Sequence, residues 1–346
     1  MKKTLTVISL AILLIDAGFI KSQSVSPSYK ISKKINVEGD GGWDYLTSDD
    51  STGRLYVSHG TIVQVINSID GKLIGTIPNT FGVHGIALAK DLNKGFISNG
   101  KDNSVTIFDL KSLATITKIK VTGNNPDAIL YDQFSHKVFV YNGHSSNATV
   151  IDAKNNAVIA TIELEGAPEF SVTDGKGKIY VNIEDKSKIC VINPTTLKVE
   201  QTWSIAPGTE PSGLALDNKN HRLFIVCDNE LMVIANAENG KIITSLPIGS
   251  RVDGAAFDPD KERAFSSNGD GTLTVVQGTN GNDYKVLENV TTQKGARTIT
   301  LNKITHHLYL PTAEFGAAPE PTKEHPRPRP LIKSGSFIVL EVEQVN

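Results

Sequence analysis

The chain of 346 residues is short of several things that would announce a function. It has two Cys, so no cysteine framework can be built. Aromatic residues are only 6%, too few for a surface that stacks successive bases. Neither charge sign dominates: 35 basic against 37 acidic residues give a formal net charge of −2, which argues against a protein built to coat nucleic acid. There is no G-x-S-x-G, H-E-x-x-H, Walker A, dinucleotide fingerprint or C-x-x-C-H. A hydrolase, kinase or dehydrogenase of ordinary type is therefore unsupported. No run of 18 apolar residues occurs after the first two dozen positions, so no later membrane span is expected.

Those first positions read as a secretory signal peptide, residues 1–24. Lys2 and Lys3 precede an apolar stretch over 5–20 that is short for a span and contains Asp16, and Ser22 and Ser24 offer a cleavage site. The expected location is periplasmic or secreted, and removing this segment takes the net charge to −4. In an oxidising compartment Cys190 and Cys227 could pair, but they fall on different strand types of neighbouring repeats. A free, buried pair is expected.

What the chain does have is 29 Gly, many turn residues and a repeat. A unit of about 42 residues occurs seven times. Its anchor strand reads WDYLTSD, HGIALAK, DAILYDQ, EFSVTDG, SGLALDN, DGAAFDP and RTITLNK, starting at Trp43, His84, Asp127, Glu169, Ser212, Asp253 and Arg297. A second strand follows each anchor (RLYVSHG, KVFVYNG, RLFIVCD), then a third (ATVIDA, KICVINP) and a fourth (AVIATIEL). Each is short, rich in Val, Ile and Thr, and bounded by Gly, Asn, Asp or Pro. Four antiparallel strands every 40–45 residues describe a propeller blade, which buries its faces only by stacking on neighbours. The seventh unit lacks a fourth strand, and YKISKKINV at 29–37 lacks a partner. The expected fold is all-β: one seven-bladed β-propeller over 25–346, closed by the N-terminal strand in the last blade.

The motifs RLYVSHGTIVQVI, NSVTIFDL and ATVIDAKNNAVIATI resemble the YVTN-type propeller repeat. With GGWDYL, NPDAILYD, SSNGDGTLTV and HLYLPTAEFG in this order, residues 30–343 resemble the YncE-like family of exported seven-bladed propellers. The resemblance implies the fold and export. For function it implies only binding, with DNA binding reported in the family.

First strands line a propeller's channel, and the loops between second and third strands share a face with their starts. The anchor column and His59, Asn99, Asn142, Glu184, Asp228, Asn268 and Thr312 are therefore expected at one mouth, with His144 and Glu314 close by. The candidate binding residues are His59, His84, Asp127, Glu169, Asp253, Arg297 and Glu314. A divalent metal ion is a candidate cofactor, held by His59, His84, Asp127 and Glu169, since imidazole and carboxylate suit zinc or a similar ion. The bland reading is a hydrated channel whose acids bond backbone amides. His136, His221, His306 and His307 fall in turns of the opposite face, solvated or locally bonded. A Pro-rich loop at 311–336 interrupts the last blade, and His325, Arg327 and Arg329 on it could cover the mouth or dock a partner.

Three functions compete. The first is a monomeric binding or scaffold propeller, holding a small molecule, peptide or protein at the channel mouth. The alternative is a metal-assisted hydrolase or lyase of lactonase type, with Arg297 on an anionic substrate group. The third, by family analogy, is single-stranded DNA binding, which the net charge and low aromatic content oppose.

Overall fold

The computed structural model describes residues 28–279, 282–320, 322 and 330–345. The expected signal peptide and positions 321 and 323–329 of the Pro-rich loop, with His325, Arg327 and Arg329, lie outside the described residues. Seven four-stranded antiparallel sheets form a seven-bladed propeller. Blade 3 is typical, with strands Pro126–Asp132, Lys137–Asn142, Asn147–Asp152 and Ala157–Glu163 running from the axis outward. No described helix is long and apolar enough to cross a membrane.

The sequence pattern follows from where each strand sits. Second and third strands are covered on both faces, so they read as unbroken apolar runs such as RLFIVC. Outer strands are half exposed. The hydrophobic clusters are shared between blades. Phe139, Tyr141 and Val150 of blade 3 pack on Val181, Ile183 and Cys190 of blade 4. Leu55 and Val57 of blade 1 pack on Tyr309 and Val339 of blade 7. Seven such clusters join seven neighbouring pairs, so each blade depends on both its neighbours. Cys190 and Cys227 are free and buried.

The ring closes in blade 7, in the order Ser28–Asn36, Ile338–Val345, Leu308–Thr312 and Thr300–Leu301 from outside to axis. Arg263 of blade 6 bonds both chain ends, donating to Tyr29 Oη and to Gln344 Oε1 at 2.8 Å each.

The recurrent polar letters hold turns, hairpins and neighbouring blades together. The Asp or Asn ending a third strand accepts amide hydrogens from the turn into the fourth. Asp152 takes those of Lys154 and Asn155, and Asn193 those of Thr195 and Thr196. Asp152→Ala should cost about 1 kcal/mol, read as a lower thermal midpoint. The Asn ending second strands clips the hairpin: Asn142 Nδ2 donates to Asn147 Oδ1 and Thr149 Oγ1, and Asn268 does the same to Thr272 and Thr274. Polar residues inside second strands stitch blades together. Ser98 donates to the Asp127 carbonyl, Asn182 to that of Ser212, and Ser267 to that of Arg297.

Candidate functional site

In blades 2 to 6 the inner strand slips register near its start: between Val83 and Ile86, Pro126 and Ile129, Pro168 and Ser171, Pro211 and Leu214, and Val252 and Gly254. A bulge frees a residue from the ladder and re-aims its side chain. The freed residues include His84, Asp127, Glu169, Ser212 and Asp253. In blades 1 and 7 the corresponding residue lies just before the paired strand.

In blade 1 that residue is Asp44, which corrects the expected anchor Trp43. Trp43 is 9% exposed and packs on Phe337 and Phe315, with ring centroids 5.3 and 6.0 Å away. The register signal was present in the sequence. An Asp or Asn stands five places after the ring residue in six of seven blades, and Asp49 counts back to Asp44.

Five of the seven residues form one chain of contacts. His84 Nδ1 lies 2.6 Å from Asp44 Oδ2 and 3.5 Å from Asp127 Oδ1. Arg297 donates through Nε to Asp253 Oδ2 at 2.6 Å, and through a terminal nitrogen to Asp44 Oδ1 at 3.2 Å. The order Asp127, His84, Asp44, Arg297, Asp253 crosses blades 3, 2, 1, 7 and 6. Blades 4 and 5 complete the circle with Glu169 and Ser212. No described side chain hydrogen-bonds or ion-pairs with the Glu169 carboxyl.

Carboxylates outnumber cations in this ring, four to two, and the protonation follows. Burial, reinforced by Asp127, Glu184, Asp253 and Asp44, pushes Glu169 up to about 9. Burial pushes Asp127 up to about 7 despite His84, and Asp253 to about 6 despite Arg297. For His84, burial acts downward, but the hydrogen bond to Asp44 and the charge of Asp127 outweigh it, and its pKa is raised. Near neutral pH the ring therefore holds protons that an incoming cation could displace.

The ring has a floor. The residue after each ring position is small in five blades: Gly85, Ala128, Gly213, Gly254 and Thr298. At Gly213 a Cβ would come 2.7 Å from the Ala255 backbone nitrogen, so glycine is needed for the inner strands to approach. In blades 1 and 4 the residue is Tyr45 and Phe170, whose rings meet at 5.4 Å and fill the axis. The acid ring is thus a closed cup. A cavity of about 490 Å³ lies on the other side of these aromatics, and none of the seven ring residues lines it.

Two expected site residues sit elsewhere. His59 is 1% exposed, bonds Gln64 Oε1 through Nδ1 at 2.8 Å, and stacks on Phe337 at 4.2 Å. It fills the hairpin-clip position of Asn99, Asn142 and Asn268, with Gln64 in the place of their threonine partners. Gln64 donates its amide to Glu38 O, so His59 carries its hydrogen on Nδ1, and burial pushes its pKa down. Glu314 is exposed at the stem of the Pro-rich loop and pairs with Lys333 at 3.0 Å. That stem is a short hairpin, with Phe315 bridged to Ile332 and Phe315 packed on Trp43 beside the cup. The expected metal set His59, His84, Asp127 and Glu169 does not form one donor group. Near the axis, the donor atoms within 4.8 Å of one another belong to Asp44, His84 and Asp127.

Of the opposite-face histidines, His136 and His306 are bonded across blades, while His307 pairs with Glu341 of its own blade at 2.6 Å. His306 Nδ1 lies 2.8 Å from Asp258 Oδ2, and His136 Nδ1 lies 3.1 Å from Asp91 Oδ2. His136, His221 and His306 all take the left-handed backbone of a turn.

Comparison with known proteins returns no matching family model and no matching curated protein. Solved structures do match. Hydrazine synthase of Kuenenia stuttgartiensis is similar at 17% identity and TM-score 0.69, over 79% of this chain and 94% of that one. U3-55K matches at 10% identity and TM-score 0.75, over 90% and 99%. The WD40 repeats of RRP9 match at 9% identity and TM-score 0.75, over 92% and 100%. The likeness is one of fold. At these identities it carries the propeller and nothing of its chemistry.

Proposed function

We propose that this chain is an exported binding propeller of the YncE-like kind, and that a small molecule, peptide or protein segment seats in the acid cup. One observation carries the reading. The cup is closed below by Tyr45 and Phe170 and lined by more carboxylates than cations, with Glu169 left without a side-chain partner among the described residues. Such a cup favours a ligand that brings an ammonium, a guanidinium or several hydrogen-bond donors. Both cations of the ring, His84 and Arg297, are already paired with acids, so the cup offers a phosphate backbone no free counter-charge, which counts against single-stranded DNA.

Trp43 adjoins Asp44 and makes a built-in reporter. With Trp203→Phe in place it is the only indole left. A ligand screen followed by Trp43 emission should yield compounds that shift the spectrum and raise the thermal midpoint. Asp44→Asn should abolish both effects. Hits that bind Asp44→Asn undiminished would place the ligand elsewhere.

The second reading, metal-assisted hydrolysis or elimination, rests on Asp44, His84 and Asp127. One imidazole nitrogen and two carboxylate oxygens suit a divalent transition metal. Against it, Asp44 already pairs with Arg297. When bound, the ion would supply Lewis acidity, while Arg297 and Asp253 hold the substrate's polar groups. Elemental analysis of protein purified without chelator decides this. One equivalent of metal, lost in Asp127→Asn, supports it, and a metal-free protein removes it.

A further inference from the structure

The acid cup is unevenly engaged around the axis. Its chain of contacts runs through blades 3, 2, 1, 7 and 6, and leaves out Glu169 of blade 4 and Ser212 of blade 5. The rim above the ring is uneven in the same place. In blades 1 to 6 the residue after the second strand donates its backbone N–H to the carbonyl two places before the ring residue, at 2.7 to 3.2 Å. The donor is glycine in blades 1, 2, 3 and 6: Gly60, Gly100, Gly143 and Gly269. In blades 4 and 5 it is an acid, Glu184 and Asp228. Blade 5 adds a third acid, Glu210, as the acceptor, and Arg251, the acceptor in blade 6, bounds the acid sector.

Packing explains the small residues on the engaged side. A Cβ on Gly100 would come 2.7 Å from His84 Nε2, and one on Gly269 would come 2.9 Å from Arg251 O. It does not explain the three acids. Glu210 takes a left-handed backbone, φ 49°, where blade 3 has Asn125 at 54° and blade 2 has Gly82 at 65°. Asn or Gly serves that backbone better than Glu. No described side chain hydrogen-bonds or ion-pairs with the carboxylates of Glu184, Glu210 or Asp228. These groups act on one another. Burial raises the pKa of half-buried Glu184, and Glu210, Asp253, Asp185 and Asp228 add to it. Glu184 in turn acts on Glu169 below it. Next to Glu169 in the ring, Asp127 Oδ1 is buried and accepts no hydrogen bond.

We infer that the ligand of the cup lies over blades 4 and 5 and carries two or more ammonium groups on one flexible molecule. The inner ammonium meets Glu169 and Asp127, and the next meets Glu184, Glu210 and Asp228 at the rim. This rests on the reading of the cup as a cation site and narrows it to a sector and a valence. Two linked contacts bind more tightly than either alone, because the second forms at the high effective concentration set by the linker. A ligand with one cation leaves the rim acids unused. A linear polyamine and a run of lysine side chains share the required chemistry.

Calorimetry on the full chain near pH 7 compares butylamine, spermidine and tetralysine amide. Spermidine should bind at least tenfold more tightly than butylamine. The double variant Glu210→Asn, Asp228→Asn should weaken spermidine and tetralysine at least fivefold and leave butylamine unchanged. Blade 3 carries Asn125 where Glu210 stands, and Asp228 is exposed, so folding is not at stake. Glu238→Gln with Asp260→Asn removes two exposed acids from turns of the opposite face and should change none of these affinities. Whichever of spermidine and tetralysine binds more tightly tells a polyamine from a peptide. The proposal is overturned if spermidine binds no more tightly than butylamine. It is equally overturned if the rim variant binds spermidine as the wild type does, or if the opposite-face variant weakens it as much. Each of these results leaves the cup reading standing while Asp127→Asn with Glu169→Gln still weakens butylamine. Amines indifferent to that pair of substitutions end the cup reading instead.

Discussion

Ile35→Asp strongly destabilises the ring and makes its unfolding less cooperative. Ile35 lies on the closing strand Ser28–Asn36, is 3% exposed, and packs in the cluster joining blade 7 to blade 1. A Cβ built on Gly71 of blade 1 would meet its side chain at 2.9 Å, so the site has no room to turn a carboxylate outward. An unpaired charge there costs on the order of 4 kcal/mol or more, a large part of the stability of most domains. The loss is not confined to one blade, because every apolar cluster is shared between two blades and opening one interface exposes two faces. Urea denaturation should show a much earlier, broadened transition. Lys34→Asp, one place along on an exposed position of the same strand, should stay within about 0.5 kcal/mol of the wild type. Equal stability of Ile35→Asp and the wild type would mean that this strand does not close the ring.

Glu169→Gln removes a loss of stability that the wild type suffers as pH rises. The native carboxyl is pushed from 4.5 up to about 9, first by burial and then by Asp127 and the other acids. Above pH 4.5 the unfolded chain releases this proton while the native ring keeps it. The native state then binds more protons than the unfolded state, so stability falls from about 4.5 up to about 9. Asp127 adds a fall of the same sign between 3.8 and about 7. Glutamine matches the shape and hydrogen-bonding of the protonated acid and does not titrate. Between pH 5 and pH 8 the wild type should lose on the order of 4 kcal/mol more than Glu169→Gln, by denaturation at each pH. Parallel pH profiles would show that Glu169 is ionised and solvated in the native ring.

The repeat made most of this fold legible. Short Val- and Ile-rich strands, a constant spacing and one missing outer strand determine seven blades and the closure of the last, because each strand's burial is written into its letters. The site was only partly legible. His84, Asp127, Glu169, Asp253 and Arg297 followed from their shared place at the start of inner strands. Asp44 was missed because the eye aligns Trp43, a core residue, with polar letters, and only the turn-capping Asp49 corrects the count. His59 misled in the opposite way. Its place at the loop between second and third strands puts it with the mouth residues, yet it stands where other blades use Asn to clip the hairpin. The floor of Tyr45 and Phe170 was invisible in sequence, since the two residues come from blades well apart in the chain and meet only across the axis. The stitches from Ser98, Asn182 and Ser267 were polar letters inside apolar strands, a signal that becomes readable once the next blade's backbone is in place.

The claim that matters most is that the acid cup is a site for a donor-rich or cationic group. Calorimetric titration with tetralysine amide near pH 7, in two buffers of different ionisation enthalpy, tests it most directly. Binding should favour the ionised forms of Asp127 and Glu169 and so release about one proton into the buffer. Tetraglutamate should not bind. The double variant Asp127→Asn, Glu169→Gln should weaken tetralysine at least tenfold, about 1.4 kcal/mol, and abolish the proton release. No binding of tetralysine, or binding that this double variant leaves intact, would contradict the account.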